Sequence, residues 1–505
     1  MVTRTDSESM LVEHRPHFAK ETRRNVLLSQ VATLESEIAQ TRALLLERET
    51  ERLQLYSEIN TLSPIDQLPA EIKAEIFYNA LGSLVDSAWQ GIYPFFLGKI
   101  CRGWRDFVWS TPILWTTLHL CLSKDKYEAQ TDLLHEWLSR TSKHPISFCL
   151  DTEELLDEWV SHPSTEVLTT LASVSSQWKN VEFFVPDIKA CFDAISTAEK
   201  SLPLLTTATI RFSTSVTGRQ LTLSTAPHLS VLHLYNPYLR TVLVPWHQLR
   251  EFFANGCTVD EIRIFFRNAP QIVHCTFIEI DSAILDHPLD LDFFQPPVLE
   301  HLEYLKLWFD IVDDSLSANL ILGPAKLPSL REVSLSGRFA SSAPVLQIMQ
   351  AFRSSQLLED FDLGYELPSD VILIQVLELI PSVKTLRLFF THRNQQIGHS
   401  SLLEALLQRL CCPQDILLPN LRKFTYRGPT SLNEHMHLFR DVLVYRFRQC
   451  ASPPEVGFEQ KTVSQIRSVI VRTPSQIVIS PDIQEELDGL RRDGLKLLVT
   501  SHFVD

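Results

Sequence analysis

One short pattern constrains this chain more than any other feature: apolar-x-x-apolar-x-apolar, which returns ten times between Trp178 and Tyr426. Eight copies are well formed, starting at Leu205, Leu229, Ile272, Leu302, Leu330, Leu358, Val383 and Leu421, and those at Trp178 and Leu249 are looser. The starts step by 27, 24, 20, 23, 30, 28, 28, 25 and 38 residues. A proline stands two residues before six of them, at Pro203, Pro227, Pro270, Pro328, Pro381 and Pro419, although proline is only 28 of 505 residues. A hexapeptide with apolar side chains at its fourth and sixth positions suits a strand that buries one face. A single unit of this kind cannot bury that face alone, so neighbours must stack.

The steps resemble those of leucine-rich repeats, in which each strand is followed by a returning helix or coil. Val371–Ile380 and Ser401–Leu410 read as two such helices. The asparagine usual after the motif is mostly missing and the last step is long, so the array is expected to be irregular. Ile466–Val471 and Leu495–Val499 read as strands around a helix at Ile483–Arg492, which would cap the stack. The array is assigned to residues 123–505. The x positions of its strands are expected on one concave face, where a target protein would bind. That face would carry His233, Tyr235, Tyr304, Lys306, Trp308, Arg331, Asp360, Asp362, Lys384, Arg387, Arg422, Lys423 and Arg427. Tyr235, Tyr304, Lys306, Trp308, Arg331, Arg387, Arg422 and Arg427 are the chosen target-binding candidates; aromatic and arginine side chains commonly anchor interfaces.

Residues 1–20 are polar and aperiodic and read as a flexible tail. From Glu21 to Leu62 neither proline nor glycine occurs, and a heptad places Leu27, Val31, Leu34, Ile38, Thr41, Leu45, Arg48, Arg52, Leu55, Ile59 and Leu62 on one seam. Glutamates and arginines flank it, which is the pattern of a coiled-coil helix over residues 21–63. Arg48 and Arg52 interrupt the seam while Leu46 and Leu53 fit a shifted one, so it stutters near its middle. Self-association, a partner helix and folding back on the same chain are all open to it.

After Ser63-Pro64 come LPAEIKAEIF from Leu68 to Phe77 and ICRGWRDFVWSTPILW from Ile100 to Trp115, then the strand-like TTLHLCL of Thr116–Leu122. In this order the segments resemble the F-box, and specifically the F-box-like family abundant in mushroom-forming fungi. HPISFCLD, His144–Asp151, is similar to the strand that commonly follows this region. The resemblance covers residues 64–122. It implies a small all-α module that docks a Skp-family adaptor within a cullin-based ubiquitin ligase. Leu68, Pro69, Ile72, Ile76, Phe77, Leu97, Cys101 and Trp104 would be its adaptor-binding residues. Burying Leu68, Ile72, Ile76 and Phe77 would stabilise by about 1.5–3 kcal/mol each. The alternative is a coiled-coil and repeat scaffold with no ligase link, whose module packs inward on its own chain.

Composition argues against other classes. Glycine is 14 of 505 and neither G-x-G-x-x-G nor a P-loop occurs, which disfavours nucleotide chemistry. A net charge of −15 disfavours nucleic-acid binding. No run of 18 apolar residues exists and the first residues lack an apolar leader segment, so neither membrane nor export is expected. Nine cysteines without a C-x-x-C, and no N-x-[ST], fit reduced thiols in the cytoplasm or nucleus. His435-Met-His437 and His14-Arg-Pro-His17 lack further ligands, so no metal, cofactor or catalytic group is expected. The sequence thus predicts a non-enzymatic α/β chain: a long N-terminal helix, an F-box-like module and a leucine-rich-repeat-like solenoid.

Overall fold

The computed structural model describes residues 14–81, 94–123, 126–152, 165–185, 193, 201–211, 221–237, 239–281, 298–312, 325–339, 343–353, 355–366, 370–390, 400–412, 415–428, 432–448, 463–473 and 477–501. Helix and strand are mixed, with a long N-terminal helix and a parallel sheet. The chain divides into two compact units, residues 1–115 with 140–142, and residues 116–139 with 143–505.

The first unit is helical. Helix α1, His14–Thr61, runs for 48 residues. It takes in the last seven residues of the tail read from the sequence, 14–20, because polar residues such as Lys20 and Glu21 continue a helix as readily as they form a tail. A 3-10 turn, Pro64–Gln67, leads through Leu68 and Pro69 into α2, Ala70–Leu81. Pro69 falls just ahead of the first turn, where its missing N–H breaks no intrahelical bond. Helices α3, Pro94–Ile100, and α4, Arg102–Ser110, are separated at Cys101, whose sulfur accepts from the Trp104 N–H at 3.4 Å as the cap of α4. The expected middle stretch, Gly82–Tyr93, lies outside the described residues.

The aromatic core of this unit has two centres. Phe77 packs on Trp104 with ring centres 4.6 Å apart and edge-on to Phe107 at 5.6 Å. Trp115 meets Phe95 and Trp109, each at 5.4 Å, and its indole N–H donates to the Val108 carbonyl at 2.9 Å. The Arg140 guanidinium lies 4.9 Å from the Trp115 ring centre. The hydrogen bond satisfies the one polar atom of the buried Trp115 indole, and the guanidinium faces the negative side of its ring.

The second unit is built on a parallel sheet of fourteen described strands in chain order. They are β1 (Thr117–Leu122), β2 (Ile146–Thr152), β3 (Trp178–Phe183), β4 (Thr207–Arg211), β6 (Val231–Tyr235), β8 (Glu251–Asn255), β9 (His274–Ile280), β10 (Tyr304–Val312), β11 (Glu332–Phe339), β12 (Asp360–Glu366), β13 (Thr385–Phe389), β14 (Lys423–Arg427), β15 (Ser468–Arg472) and β16 (Lys496–Thr500). Two short strands, β5 (Leu221–Thr222) and β7 (Val242–Leu243), pair separately. All ten hexapeptides lie on strands of the large sheet. β1 belongs to it too, pairing from Thr117 with Ser147, so the boundary falls at Trp115 and not at Leu122. Backbone pairing with β2 outweighs the sequence proximity of β1 to the helices before it.

Six turns explain the prolines. Each is the second residue of a turn closed from the first apolar position: Leu205 N–H donates to Leu202, Leu229 to Ala226, Ile272 to Ala269, Leu330 to Leu327, Val383 to Ile380 and Leu421 to Leu418, all at 3.1–3.4 Å. Proline's fixed φ suits that turn position. Successive turns are also tied by side chains: Ser382 donates to the Leu358 carbonyl at 2.8 Å, and Ser355 to Leu327 at 3.0 Å.

Parallel pairing aligns each strand with the next without slippage from β11 to β16. The second and fourth residues therefore form two apolar rows, Leu305–Val333–Phe361–Leu386 and Leu307–Leu335–Leu363–Leu388 among them, all buried. Helices α5 (Tyr127–Thr141), α6 (Thr165–Ser173), α7 (Val259–Asn268), α8 (Ala343–Phe352), α9 (Asp370–Glu378), α10 (Ser400–Leu410), α11 (Met436–Phe447) and α12 (Pro481–Arg492) connect the strands, and α8 to α12 pack side by side in order. The ladder shifts register at the start of β2, between Ile146 and Ser147, and on both sides of β10, between Leu307 and Phe309 against β9 and between Trp308 and Ile311 against β11. There Gly337 adopts φ +139°, and a side-chain carbon on it would run into the Phe309 carbonyl.

Candidate protein-interaction surfaces

On α2 and the two residues ahead of it, one side is buried and the other exposed. Lys73, Phe77 and Leu81 are buried, whereas Leu68, Pro69, Ile72 and Ile76 are exposed, Ile72 by 50%. The inward position of Lys73 is made tolerable by Asp66, whose carboxylate accepts from its ammonium at 2.6 Å, and by the Phe107 ring 5.0 Å away. Two of the sequence-derived adaptor residues are thereby corrected. Phe77 and Leu97 are core, because the aromatic cluster of α4 needs partners and takes the nearest apolar side chains. Cys101 and Trp104 are half-buried, occupied in the α4 cap and the Phe77 stack. Phe96 and Ile100 of α3 are exposed, by 54% and 60%, and the sequence reading had not singled out either as a contact.

In the second unit, the first, third and fifth residues of the aligned strands share the face opposite the apolar rows. Its chemistry changes along the sheet. From β4 to β10 it is aromatic. Arg211 sits 5.0 Å from the Phe184 ring centre and 5.8 Å from that of Tyr235, and Tyr235 lies 5.1 Å from Phe253. Beside them is a hollow of about 370 Å³ lined by His233, Glu251, Phe253, His274, Thr276 and Tyr304. His233 and Glu251 are 3.2 Å apart across its edge. Trp308 stands 42% exposed on the same strand as Tyr304.

Next, on β11 and β12, the face becomes acidic. Glu332, Asp360 and Asp362 surround the Arg387 guanidinium at 3.7, 3.5 and 2.7 Å. Burial, reinforced by the two aspartates, raises the Glu332 carboxyl above its ordinary value. Burial raises Asp362 as well, against the pull of Arg387. Burial and the charges of Glu332 and Asp362 push the Tyr304 hydroxyl upward. From β14 to β16 the face carries basic residues at its two edges, with Lys423 and Lys496 in one row and Arg427 and Arg472 in another.

Tyr235, Tyr304, Lys306, Trp308 and Arg427 therefore share the face expected of them. Arg387 shares it too, but is engaged with three carboxylates of its own chain and is not a free anchor. Arg331 and Arg422 stand one position ahead of their strands, in a separate row with Glu359 and Lys384, because the hexapeptide puts two residues between its first and second apolar positions. Arg211, Phe184 and Phe253 were missed: Phe184 follows its strand, Arg211 ends one, and Phe253 sits in the looser Leu249 copy.

No protein-family model matches the chain, and no curated protein is significantly similar to it. Among solved structures it aligns with the crystal structure of the TLR13–ssRNA13 complex at 9% identity, over 64% of this chain, with a TM-score of 0.18. This chain spans 59% of that chain's length, and a likeness this slight carries no argument.

Burial pushes the thiols of Cys149, Cys257 and Cys275 far above their ordinary value, so they stay protonated at neutral pH. Among the described residues no group of three or more potential ligands could hold a metal, and no helix is long and apolar enough to cross a membrane.

Proposed function

We propose that this chain is a substrate receptor of a cullin-based ubiquitin ligase, with α2 docking a Skp-family adaptor and the sheet face holding a target protein. The observation that carries the reading is the exposed row Leu68, Pro69, Ile72 and Ile76, which the first unit does not use for its own core. These residues are also the ones that bear the F-box-like pattern. The second unit is read as an irregular leucine-rich-repeat-like solenoid, supported by strands in chain order and by a proline turn ahead of six of them. Its aromatic stretch from Arg211 to Trp308 offers wide, rigid contact area, and the acidic and basic stretches beside it select a partner by charge.

In this role the chain does no chemistry itself. It raises the effective concentration of a target near a separately charged enzyme. The place of action is intracellular, cytoplasm or nucleus, where that machinery works.

The test is co-purification of the full chain with a Skp-family adaptor, alone and as the double variant Leu68→Ala/Pro69→Ala. The native chain should retain the adaptor, and the variant should lose at least about tenfold in affinity, about 1.4 kcal/mol, with its unfolding transition unchanged. Equal retention of the adaptor by both chains, or by neither, overturns the reading.

A further inference from the structure

Every described residue of α1 from Lys20 to Asn60 is exposed, apolar ones included. Leu27, Val31, Leu34, Ile38, Leu45, Leu55 and Ile59 each present about half or more of their surface to solvent. They lie on one seam of a helix about 72 Å long. An isolated helix gains little from its own hydrogen bonds, and its stability comes from packing an apolar side against something else. Nothing in the described chain covers this one.

The charges beside the seam say what does. Taking Leu27 and Leu34 as d positions and Val31 and Ile38 as a, the flanking g and e positions include Glu37, Glu51, Glu35, Arg42 and Glu49. Two copies running parallel and in register set Glu37 of each against Arg42 of the other, and no flanking pair brings like charges together. The same register sets each of the seam arginines, Arg48 and Arg52, opposite its twin, but both gain acidic neighbours on the second copy, Arg48 beside Glu49 and Arg52 beside Glu51. Arg48 already holds Glu51 of its own helix at 2.8 Å, which offsets the cost of lying near its twin. Antiparallel overlap of the same seam sets Glu37 against Glu51, Glu35 against Glu49 and Arg42 against itself. Complementarity therefore selects both the occupant and its direction.

We infer that α1 pairs with α1 of a second copy of this chain, parallel and in register. Two adaptor-docking rows and two target-binding faces then belong to one assembly. The pairing does not rest on the ligase reading, and adaptor binding does not rest on the pairing.

The experiment is analytical ultracentrifugation of the full chain across micromolar concentrations, with two variants. The native chain should sediment at twice the mass of one chain. Leu34→Glu/Ile38→Glu should halve that mass while leaving the unfolding transition of the rest unchanged. Leu34→Cys should form a reducible dimer under mild oxidation, absent from the native chain, because parallel register brings the two introduced sulfurs together. Antiparallel overlap would separate them by about 27 Å along the axis. A native chain that stays monomeric, a dimer that survives the paired glutamates, or a dimer in which Cys at 34 does not cross-link overturns the inference.

Discussion

The Nε of Arg446, on α11, donates at 2.8 Å to the carbonyl of Leu410, the last residue of α10. The same guanidinium donates to the carbonyls of Leu417 and Leu418, and the side chain is fully buried. A helix C-terminus leaves carbonyls without internal partners and carries partial negative charge. Arg446 answers both needs and pins the turn that precedes β14. Arg446→Met should cost about 3 kcal/mol or more, since three buried acceptors lose their donor. Arg446→Lys should recover little of it, because one ammonium cannot span three separated carbonyls. Urea titration of the full chain measures both.

Arg387 is the cation at the centre of Glu332, Asp360 and Asp362, and its replacement by methionine gives a stability change with a defined pH dependence. The Glu332 and Asp362 carboxyls already lie above their ordinary values, and without Arg387 both should rise further. A raised carboxyl binds its proton more tightly folded than unfolded. The folded state is therefore penalised as pH rises from the ordinary carboxylate range through the raised value. Arg387→Met should cost about 1 kcal/mol at pH 7.5, a modest figure because the cluster is partly solvated. The deficit should fade toward about pH 4. A loss that is equal at both pH values would count against this account.

Ile76 and Phe77 are neighbours in sequence with opposite roles. Phe77→Ala removes a ring stacked on Trp104 and should cost about 3–5 kcal/mol. Ile76→Ser, on the exposed side, should stay within about 0.5 kcal/mol. Thermal unfolding of the two variants should separate them by many degrees.

Gly337 lies where β11 follows the register shift of β10. Gly337→Ala combines a φ that L residues rarely adopt with a clash against the Phe309 carbonyl. A loss of about 1–3 kcal/mol is expected, read by chemical denaturation. Gly103→Ala is the control. It sits on α4 with open space around it and should be neutral or slightly stabilising.

Much of this architecture was legible in the residues. Apolar spacing over a few residues and proline at a fixed offset are local properties, and local sterics favour a turn at Pro328 and an extended backbone at Val333–Leu335. The same holds for α1, β15 and α12, whose ends moved by only a few residues except at His14. What the tertiary structure decided was which side of each element meets which neighbour. Phe77 turned inward and Ile72 outward because α4 supplied Trp104 and Phe107. Arg387 was absorbed because three strands brought carboxylates into its reach. β1 joined the sheet because β2 offered a backbone edge. Each outcome depends on contacts between residues far apart in sequence, whose energies no local pattern encodes.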